Sequence, residues 1–239
     1  MKAIYNEILN AKSNNKKLLA ILIDPEKTSV TDLHTLIKKI KDSPTTHLFI
    51  GGSTYNGNHI DKLIDTLKLY IELPILLFPG NPNQISNNAD AILFLSLISG
   101  RNPDYLIDYQ VQAVPFLKQT SLEIISTGYI LIDGKNTTAV QRVSKTKPIL
   151  RNEVNIVINT ALAGEYLGNK LIYLEAGSGA KESVPLDMIE KVSKEISIPL
   201  IVGGGIRSQD KINQIYKAGA DMVVIGTAFE KNNNFFKND

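Results

Sequence analysis

The chain has 239 residues, of which 43% are hydrophobic and 21% are charged, and its formal net charge is +2. This composition is typical of a folded globular protein rather than a disordered one, and so small a net charge argues against a nucleic-acid partner. The lack of cysteine excludes disulfides, thiolate metal sites and cysteine nucleophiles. No apolar run approaches the ~20 residues of a membrane span, and the N-terminus lacks the pattern of a signal peptide. We therefore expect a cytoplasmic protein with, at most, transient membrane-surface contact.

Eight short apolar runs follow one another along the chain. Most are continuous rather than alternating, as in parallel strands that are buried on both faces. The predicted strands are residues 18–23, 47–50, 75–78, 91–95, 124–132, 171–174, 199–202 and 222–225. Amphipathic stretches lie between most of them, at residues 31–41, 59–70, 105–118, 154–167, 186–196 and 208–218. This alternation predicts a (β/α)₈ TIM barrel in a single domain of residues 1–239. A doubly wound open sheet is the alternative.

The connection between the third and fourth predicted strands is unusual. Residues 79–90 include two prolines, one glycine and four asparagines, a composition that forms helices poorly. We therefore predict a modified barrel in which a loop replaces the third outer helix. Such a loop would leave a gap in the outer ring of helices.

Glycine clusters follow the last three predicted strands, at residues 177–179, 203–205 and 226. Glycine leaves its backbone amide unobstructed, and barrels of this kind commonly bind phosphate after the seventh and eighth strands. A helical pattern follows the second cluster and would place its amides at a positive helix end. We predict that the three clusters converge on one anion. Thr227 either donates a hydroxyl there or caps the last helix, and Gly51-Gly52 is equally explained by a tight turn.

Two carboxylates end predicted strands, where barrels carry their functional side chains. Asp24 ends the first strand, and with Ser53, after the second, it would offer the hard oxygen ligands that Mg²⁺ takes alongside a substrate diphosphate. An exposed turn aspartate is the other interpretation. Glu175 ends the sixth strand, where a carboxylate is costly unless it is solvated, paired or used. Tyr173 points the same way, so its phenol could bind substrate or pack in the core.

Two other functions fit parts of this pattern. Asp24 and Asp133 could form an acid–base pair in a phosphosugar isomerase, although that leaves the segment around Glu175 unexplained. The chain could also be a non-catalytic module that binds a phosphate ligand. The presence of Asp24, Ser53 and Glu175 together argues against that second alternative.

Five segments resemble the geranylgeranylglyceryl phosphate synthase family, including its bacterial heptaprenylglyceryl phosphate synthase relatives. They are Leu-Ile-Asp-Pro-Glu-Lys at 22–27, Phe-Ile-Gly-Gly-Ser at 49–53, Tyr-Leu-Glu-Ala-Gly-Ser-Gly-Ala at 173–180, Val-Gly-Gly-Gly-Ile-Arg-Ser at 202–208 and Ile-Gly-Thr-Ala-Phe-Glu at 225–230. The resemblance implies a Mg²⁺-dependent prenyltransferase that joins sn-glycerol 1-phosphate to a polyprenyl diphosphate, geranylgeranyl diphosphate being the expected one. The product is an ether and diphosphate is released. The resemblance also implies a barrel without its third helix, and a homo-oligomer.

The resemblance assigns roles to particular residues. Asp24 and Ser53 would bind Mg²⁺, and Glu175 would take the proton of the attacking glycerol hydroxyl while Tyr173 orients the substrate. The residues expected to bind glycerol 1-phosphate are Tyr173, Leu174, Glu175, Ala176, Gly177, Ser178, Gly179, Gly203, Gly204, Gly226 and Thr227. The prenyl chain needs a long apolar groove, for which the gap left by the third helix is one candidate place.

Overall fold

Eight parallel strands close into a barrel in the order in which they occur along the chain. The computed structural model describes residues 3–28, 30–53, 55, 59–232 and 235–236. Its strands are β1 (Leu18–Ile23), β2 (His47–Ile50), β3 (Ile75–Leu77), β4 (Ala91–Leu97), β5 (Glu123–Leu131), β6 (Leu171–Glu175), β7 (Leu200–Gly203) and β8 (Met222–Ile225). β8 pairs with β1 and closes the barrel, with Leu19 opposite Val223. The predicted barrel is therefore confirmed, and the alternative prediction of an open sheet is wrong. That residues 1–239 form one domain stays a prediction.

The strands are apolar on both faces because the barrel has two cores. On β1 and β2, Ile21, Ile23 and Leu48 face outward and pack against the surrounding helices. Their neighbours along the same strands, Ala20 and Phe49, belong to a second cluster that fills the barrel interior. Successive strand residues alternate between faces, so a strand between two apolar cores appears as a continuous apolar run.

The described residues form helices at the six predicted places and three further helices. The described helices are α1 (Ile4–Ser13), α2 (Val30–Lys41), α3 (Ile60–Lys68), α4 (Tyr109–Leu117), α5 (Ala139–Ser144), α6 (Val154–Tyr166), α7 (Leu186–Glu195), α8 (Gln209–Lys217) and α9 (Thr227–Lys231). The three further helices are α1, α5 and α9. One π-helical turn, Asp104–Asp108, leads into α4. In the described part of the chain, no helix is both long and apolar enough to cross a membrane.

The N-terminal helix closes the floor of the barrel, the end opposite the carboxyl ends of the strands. Ile4, Ile8 and Ala11 of α1 pack into the interior cluster. The first backbone amides of α1 donate to the carboxylate of Glu123, at the start of β5, with nitrogen–oxygen distances of 2.5 and 3.1 Å. A carboxylate at this position satisfies amides that have no partner within the helix.

The connection from β3 to β4 carries only the three-residue 3₁₀ turn Pro82–Gln84, so the prediction that a loop replaces the third outer helix is confirmed. Asn81 caps this turn by accepting a hydrogen bond from the Asn83 amide. The side chain of Gln84 is fully buried beneath the turn. The outer ring is therefore open beside β3 and β4.

Candidate active site

A polar pocket opens at the carboxyl ends of the strands, with an empty volume of about 1520 Å³ including its mouth. The loops after β1, β2, β6, β7 and β8 all contribute to its wall. The predicted site residues that line it are Asp24, Ser53, Tyr173, Glu175, Ser178, Gly179, Gly204, Gly226 and Thr227. Leu174, Ala176, Gly177 and Gly203 are absent from the lining. Leu174 and Ala176 pack in the outer core instead.

Gly177 and Gly203 shape the pocket from behind. Gly177 has a φ of +99°, and a methyl group on it would collide with Thr138. A methyl group on Gly203 would collide with both the Tyr173 hydroxyl and the Glu175 carboxylate. These two glycines therefore allow close packing around the buried acid.

Glu175 is the buried carboxyl group of the pocket, only 6% exposed. It stands at the end of β6, and its Oε1 accepts a hydrogen bond of 2.6 Å from the Gly177 amide. Burial raises its pKa to about 7, an effect that the nearby Tyr173 phenol and the Gly177 amide partly offset. Near neutral pH both its ionised and its protonated forms are therefore populated, which suits a general base.

Tyr173 lies beside Glu175 with its side chain fully buried. Burial, and then the neighbouring carboxylate, raises its pKa well above the ordinary value, so the phenol keeps its proton. Its hydroxyl influences the pKa of the neighbouring acid, yet it has no hydrogen-bond partner among the described residues. A buried hydroxyl of this kind is available to a ligand.

The glycine loops after β6, β7 and β8 meet on one side of the pocket. Gly204 and Gly205 adopt positive φ angles of +82° and +68°, and neither amide donates to any residue in the described ranges. A methyl group on Gly204 would lie 2.6 Å from the Gly177 nitrogen, so the first two loops are in contact. Ser178 and Thr227 face each other with 3.5 Å between their hydroxyl oxygens. The three glycine loops are therefore neighbours, and that they converge on one anion stays a prediction.

The relation of these loops to helix ends differs from the expectation. α8 begins only at Gln209, and its cap is Ser208, which accepts from the Lys211 amide. The Gly203–Gly205 amides therefore do not belong to the first turn of α8. Thr227 is the first residue of α9 rather than its cap, which is Gly226. The Thr227 hydroxyl therefore does not cap the helix, and Thr227 lines the pocket.

Asp24 and Ser53 line the pocket from the neighbouring loops after β1 and β2. Because β1 also pairs with β8, the loop of Asp24 lies between those of Ser53 and Thr227. A methyl group on Gly52, next to Ser53, would lie 2.9 Å from Asp24 Oδ1. Asp24 Oδ2 pairs with Lys27 Nζ at 2.6 Å. A carboxylate and a hydroxyl are the hard oxygens that Mg²⁺ prefers. They do not make a complete site, since the described residues hold no group of three or more acidic, histidine or cysteine side chains suited to a metal.

Asp133 is absent from the described pocket lining. It stands two residues beyond the end of β5, and its carboxylate accepts a hydrogen bond from the Lys135 amide within its own loop. The acid–base pair of Asp24 and Asp133 that an isomerase would need is therefore not assembled at this pocket.

An apolar groove with an empty volume of about 800 Å³ continues from the polar pocket into the gap of the missing helix. Phe78 and Tyr129 stand in both cavities, with their ring centroids 6.0 Å apart. The wall of the groove consists of residues 78–82, Ile85, residues 92–95, Leu97, Tyr105, Tyr109, Gln110, Ala113, Tyr129, Val140 and Val143, with Gly52 and Ser53 at the junction. The polar pocket and the apolar groove are therefore connected cavities.

Comparison with known proteins identifies the family. The model of the PcrB family matches residues 11–238. The chain belongs to the PcrB family. It is 58% identical over 236 residues to a geranylgeranylglyceryl phosphate synthase of Flavobacterium johnsoniae, covering 99% of this chain and 97% of that one. With the protein of the same name from Pyrococcus furiosus it shares 41% identity over 93% of this chain and 88% of the other.

A solved structure agrees with this family membership. The crystal structure of (S)-3-O-geranylgeranylglyceryl phosphate synthase from Thermoplasma acidophilum, in complex with its substrate sn-glycerol-1-phosphate, superposes with a TM-score of 0.93. The two chains are 33% identical, and the match covers 99% of this chain and 95% of the other.

Sequence reasoning missed several residues of this PcrB-family pocket. Val140 of α5 lines both cavities, but α5 has only six residues and no clear apolar period. Arg207 lines the polar pocket and donates to the carbonyls of Ala180 and Lys181, tying the loop after β7 to the loop after β6. Phe78 is the last residue of a predicted strand. Because barrels carry their functional side chains at the ends of strands, its place at the barrel mouth could have been predicted.

Proposed function

We propose that this chain is a prenyltransferase that joins sn-glycerol 1-phosphate to a polyprenyl diphosphate as an ether and releases diphosphate. The observation that carries the proposal is the junction of the two cavities, because one substrate is a compact anion and the other has an apolar tail with a charged head. The polar pocket suits the anion and the apolar groove suits the tail. Family membership and the substrate complex of the Thermoplasma acidophilum relative support the same reaction.

Glycerol 1-phosphate binds with its phosphate among the glycine loops. The amides of Gly204 and Gly205 have no partner among the described residues, and the hydroxyls of Ser178 and Thr227 face each other there. Gly179 and Gly226 complete the cradle, and Gly177 and Gly203 permit its close packing. Holding the phosphate in this way fixes the glycerol hydroxyls relative to Glu175, which supplies proximity.

Glu175 acts as the general base. As the glycerol hydroxyl oxygen bonds to the first carbon of the prenyl chain, the bond from that carbon to the diphosphate oxygen breaks, and the hydroxyl proton passes to the Glu175 carboxylate. A pKa of about 7 suits a group that must be ionised before the reaction and protonated after it. Tyr173 donates its free hydroxyl hydrogen to the substrate and orients it, which accounts for a buried phenol without a hydrogen bond.

Asp24 and Ser53 would hold Mg²⁺ together with the diphosphate of the second substrate. When bound, the ion supplies positive charge to the leaving diphosphate. Two protein oxygens hold such an ion weakly by themselves, so we expect tight binding only with the diphosphate present. Lys27 pairs with Asp24 Oδ2 at 2.6 Å and so holds that carboxylate at the pocket.

The prenyl chain lies in the apolar groove that replaces the third helix, and geranylgeranyl diphosphate is the expected donor. The proposal also includes a cytoplasmic location, which fits a chain without cysteine, and self-association into a homo-oligomer. Cell fractionation tests the first of these, and light scattering on the purified protein tests the second.

The experiment is incubation of the purified protein with Mg²⁺, glycerol 1-phosphate and a ladder of prenyl diphosphates from ten to thirty-five carbons, followed by mass spectrometry. We expect one prenylglyceryl phosphate ether to form, and none when glycerol 3-phosphate of the opposite configuration replaces the substrate. Binding of glycerol 1-phosphate without ether from any donor would instead favour a non-catalytic binding module and overturn the proposal.

A further inference from the structure

Gln84 is a polar side chain that the proposed reaction leaves unused, although it is completely buried. It closes the 3₁₀ turn Pro82–Gln84 in the connection where the third helix is missing. A buried amide is costly unless its hydrogen-bonding groups are satisfied. The partners of Gln84 therefore show what the side chain holds in place.

The side chain bridges the loops after β2 and β3. Its Nε2 donates to the carbonyls of Gly52 and Tyr55, at 2.8 and 3.0 Å. Its Oε1 accepts from the amides of Gly80 and Gly52, at 3.1 and 3.3 Å. All four hydrogen-bonding positions of the amide are used. Because the nitrogen faces two carbonyls and the oxygen faces two amides, only one orientation of the side chain satisfies the network.

The two bridged loops also touch directly, with glycine on both sides. A methyl group on Gly80 would collide with the Gly52 carbonyl and lie 3.0 Å from the Ser53 Cα. A methyl group on Gly51 would overlap the Phe78 carbonyl. The position of Ser53 is thus fixed by backbone packing of its loop against the loop after β3. The hydrogen bonds of Gln84 hold these two loops together.

We propose that Gln84 is a positioning residue that replaces the third helix as the support of the loop carrying Ser53. It holds Ser53 opposite Asp24 and at the same time fixes Gly80 in the wall of the apolar groove. Gln84 therefore controls the diphosphate end of the site, whereas the glycine cradle is carried by the loops after β6, β7 and β8, to which Gln84 makes no hydrogen bond among the described residues. The inference rests on the proposed function of Ser53 and Asp24.

The test variant is Gln84→Met, which keeps the length of the side chain but cannot satisfy any of its four partners. We expect the Kd of inorganic diphosphate with Mg²⁺, measured by calorimetry, to rise by roughly 10–100-fold, the range typical of residues that orient metal ligands. The KM of the prenyl diphosphate should rise in parallel. The Kd of glycerol 1-phosphate should stay within about twofold, because its cradle lies elsewhere.

Two further variants separate positioning from general loosening of the loop. Ser86→Ala removes a buried hydroxyl bonded to Asp61 in the same connection, and it should leave diphosphate binding unchanged. Gln84→Glu keeps an acceptor for the two amides and regains a donor only when protonated. At each pH, the diphosphate affinity of Gln84→Glu is divided by that of the wild-type protein. This ratio should increase as the pH falls.

The outcomes distinguish the failure of this inference from the failure of the proposed function. Unchanged diphosphate affinity in a folded Gln84→Met protein, or an equal loss of affinity for both ligands, would overturn the positioning role. If the wild-type protein binds diphosphate with Mg²⁺ and Gln84→Met does not, the role stands whether or not an ether forms. Absence of ether from the wild-type protein bears on the proposed function alone.

Discussion

The two ends of the barrel each bury an ionisable side chain in the interior of the sheet. At the mouth, Glu175 stands at the end of β6, and burial raises its pKa to about 7. At the floor, His47 stands at the start of β2, where burial, and then the charge of Lys16, lowers its pKa to about 4. Burial penalises the charged form in both cases, so the carboxyl group keeps its proton to a higher pH and the imidazole keeps its proton only at a lower pH.

The surroundings of the two groups differ more than their burial does. Glu175 lines an open pocket beside a free phenol and a glycine cradle. His47 forms one hydrogen bond, of 2.8 Å, with the Thr46 hydroxyl. It shares a strand face with Phe49, which lies in the interior cluster that α1 covers at the floor of the barrel. A perturbed pKa therefore suggests chemistry only where the group reaches a cavity that a substrate can enter.

Replacing the buried acid at the mouth should have the largest effect. Glu175→Gln keeps the shape and can still accept from the Gly177 amide, but it cannot take a proton from the substrate. Turnover should fall by roughly 10²–10⁴-fold, as measured under single-turnover conditions, while binding of the prenyl diphosphate survives. His47→Gln is the matched variant at the floor and should keep turnover within about twofold. Equal losses in the two variants would remove the distinction between the two ends.

The metal side of the mouth should be the next most sensitive place. Asp24→Asn removes the only charge that the chain offers to Mg²⁺ among the proposed ligands, so activity should fall by at least ~10-fold and the Mg²⁺ requirement should rise. Asp133→Asn is its control, because Asp133 does not line the described pocket. Full activity of Asp24→Asn with a chelator present would contradict the metal assignment, and an equal loss of activity in Asp133→Asn would show that the effect is not specific to the metal side.

The glycine cradle should respond through binding of one substrate. Ser178→Ala and Thr227→Val each remove one hydroxyl from the phosphate, and a hydrogen bond to a charged group contributes about 1.5–3 kcal/mol. The Kd of glycerol 1-phosphate, measured by calorimetry, should therefore rise at least ~10-fold in each variant, with diphosphate binding unchanged. Thr160→Val serves as the control, because Thr160 is a half-buried residue of α6 whose hydroxyl bonds only within its helix. Unaltered affinity in both test variants would place the phosphate elsewhere.

The smallest expected effect is on stability, where the two ends should act in opposite directions. The raised pKa of Glu175 makes the folded state bind more protons than the unfolded state between about pH 4.5 and 7, so stability falls as the pH rises through that window. The lowered pKa of His47 makes the unfolded state bind more protons between about pH 4 and 6.5, so stability falls as the pH decreases.

Variants at the two ends separate these contributions. Each slope approaches ~1.4 kcal/mol per pH unit at most, so the two largely cancel in the wild-type protein between pH 5 and 6. In denaturant titrations across that range, Glu175→Gln should become more stable with rising pH, and His47→Gln should become less stable. The same slope in both variants would show that the two groups are not perturbed in opposite directions.

The fold was largely predictable from the sequence because each strand lies between two apolar cores. Residues 18–23, 47–50 and 222–225 are continuous apolar runs, and their strand boundaries agree with the structure. The missing third helix was equally visible, since proline and asparagine leave little helix-forming tendency in residues 79–90. The six-residue helix α5 was missed, because a helix of that length shows too little periodicity to be recognised.

Parts of the site were beyond prediction because they depend on contacts between distant loops. Gln84 looks like any polar loop residue until the loop after β2 is placed against it. The amides after β7 were expected at a helix end, but Ile206 and Arg207 intervene before the Ser208 cap. Asp133 lies just beyond β5, and its loop turns the carboxylate toward the Lys135 amide. Such directions are set by loop conformation, which local pattern does not encode.

The pH dependence of ether formation in wild-type, Glu175→Gln and His47→Gln proteins tests the central claim most directly. The measurement is the single-turnover rate from pH 5 to 9 with both substrates saturating. Because Glu175 must be ionised to accept the proton, the wild-type rate should rise with pH, with a midpoint near 7, and then level off. That rise should persist in His47→Gln and disappear in Glu175→Gln. A Glu175→Gln protein with the wild-type rate and the same midpoint would contradict the assignment of the mouth as the catalytic end of the barrel.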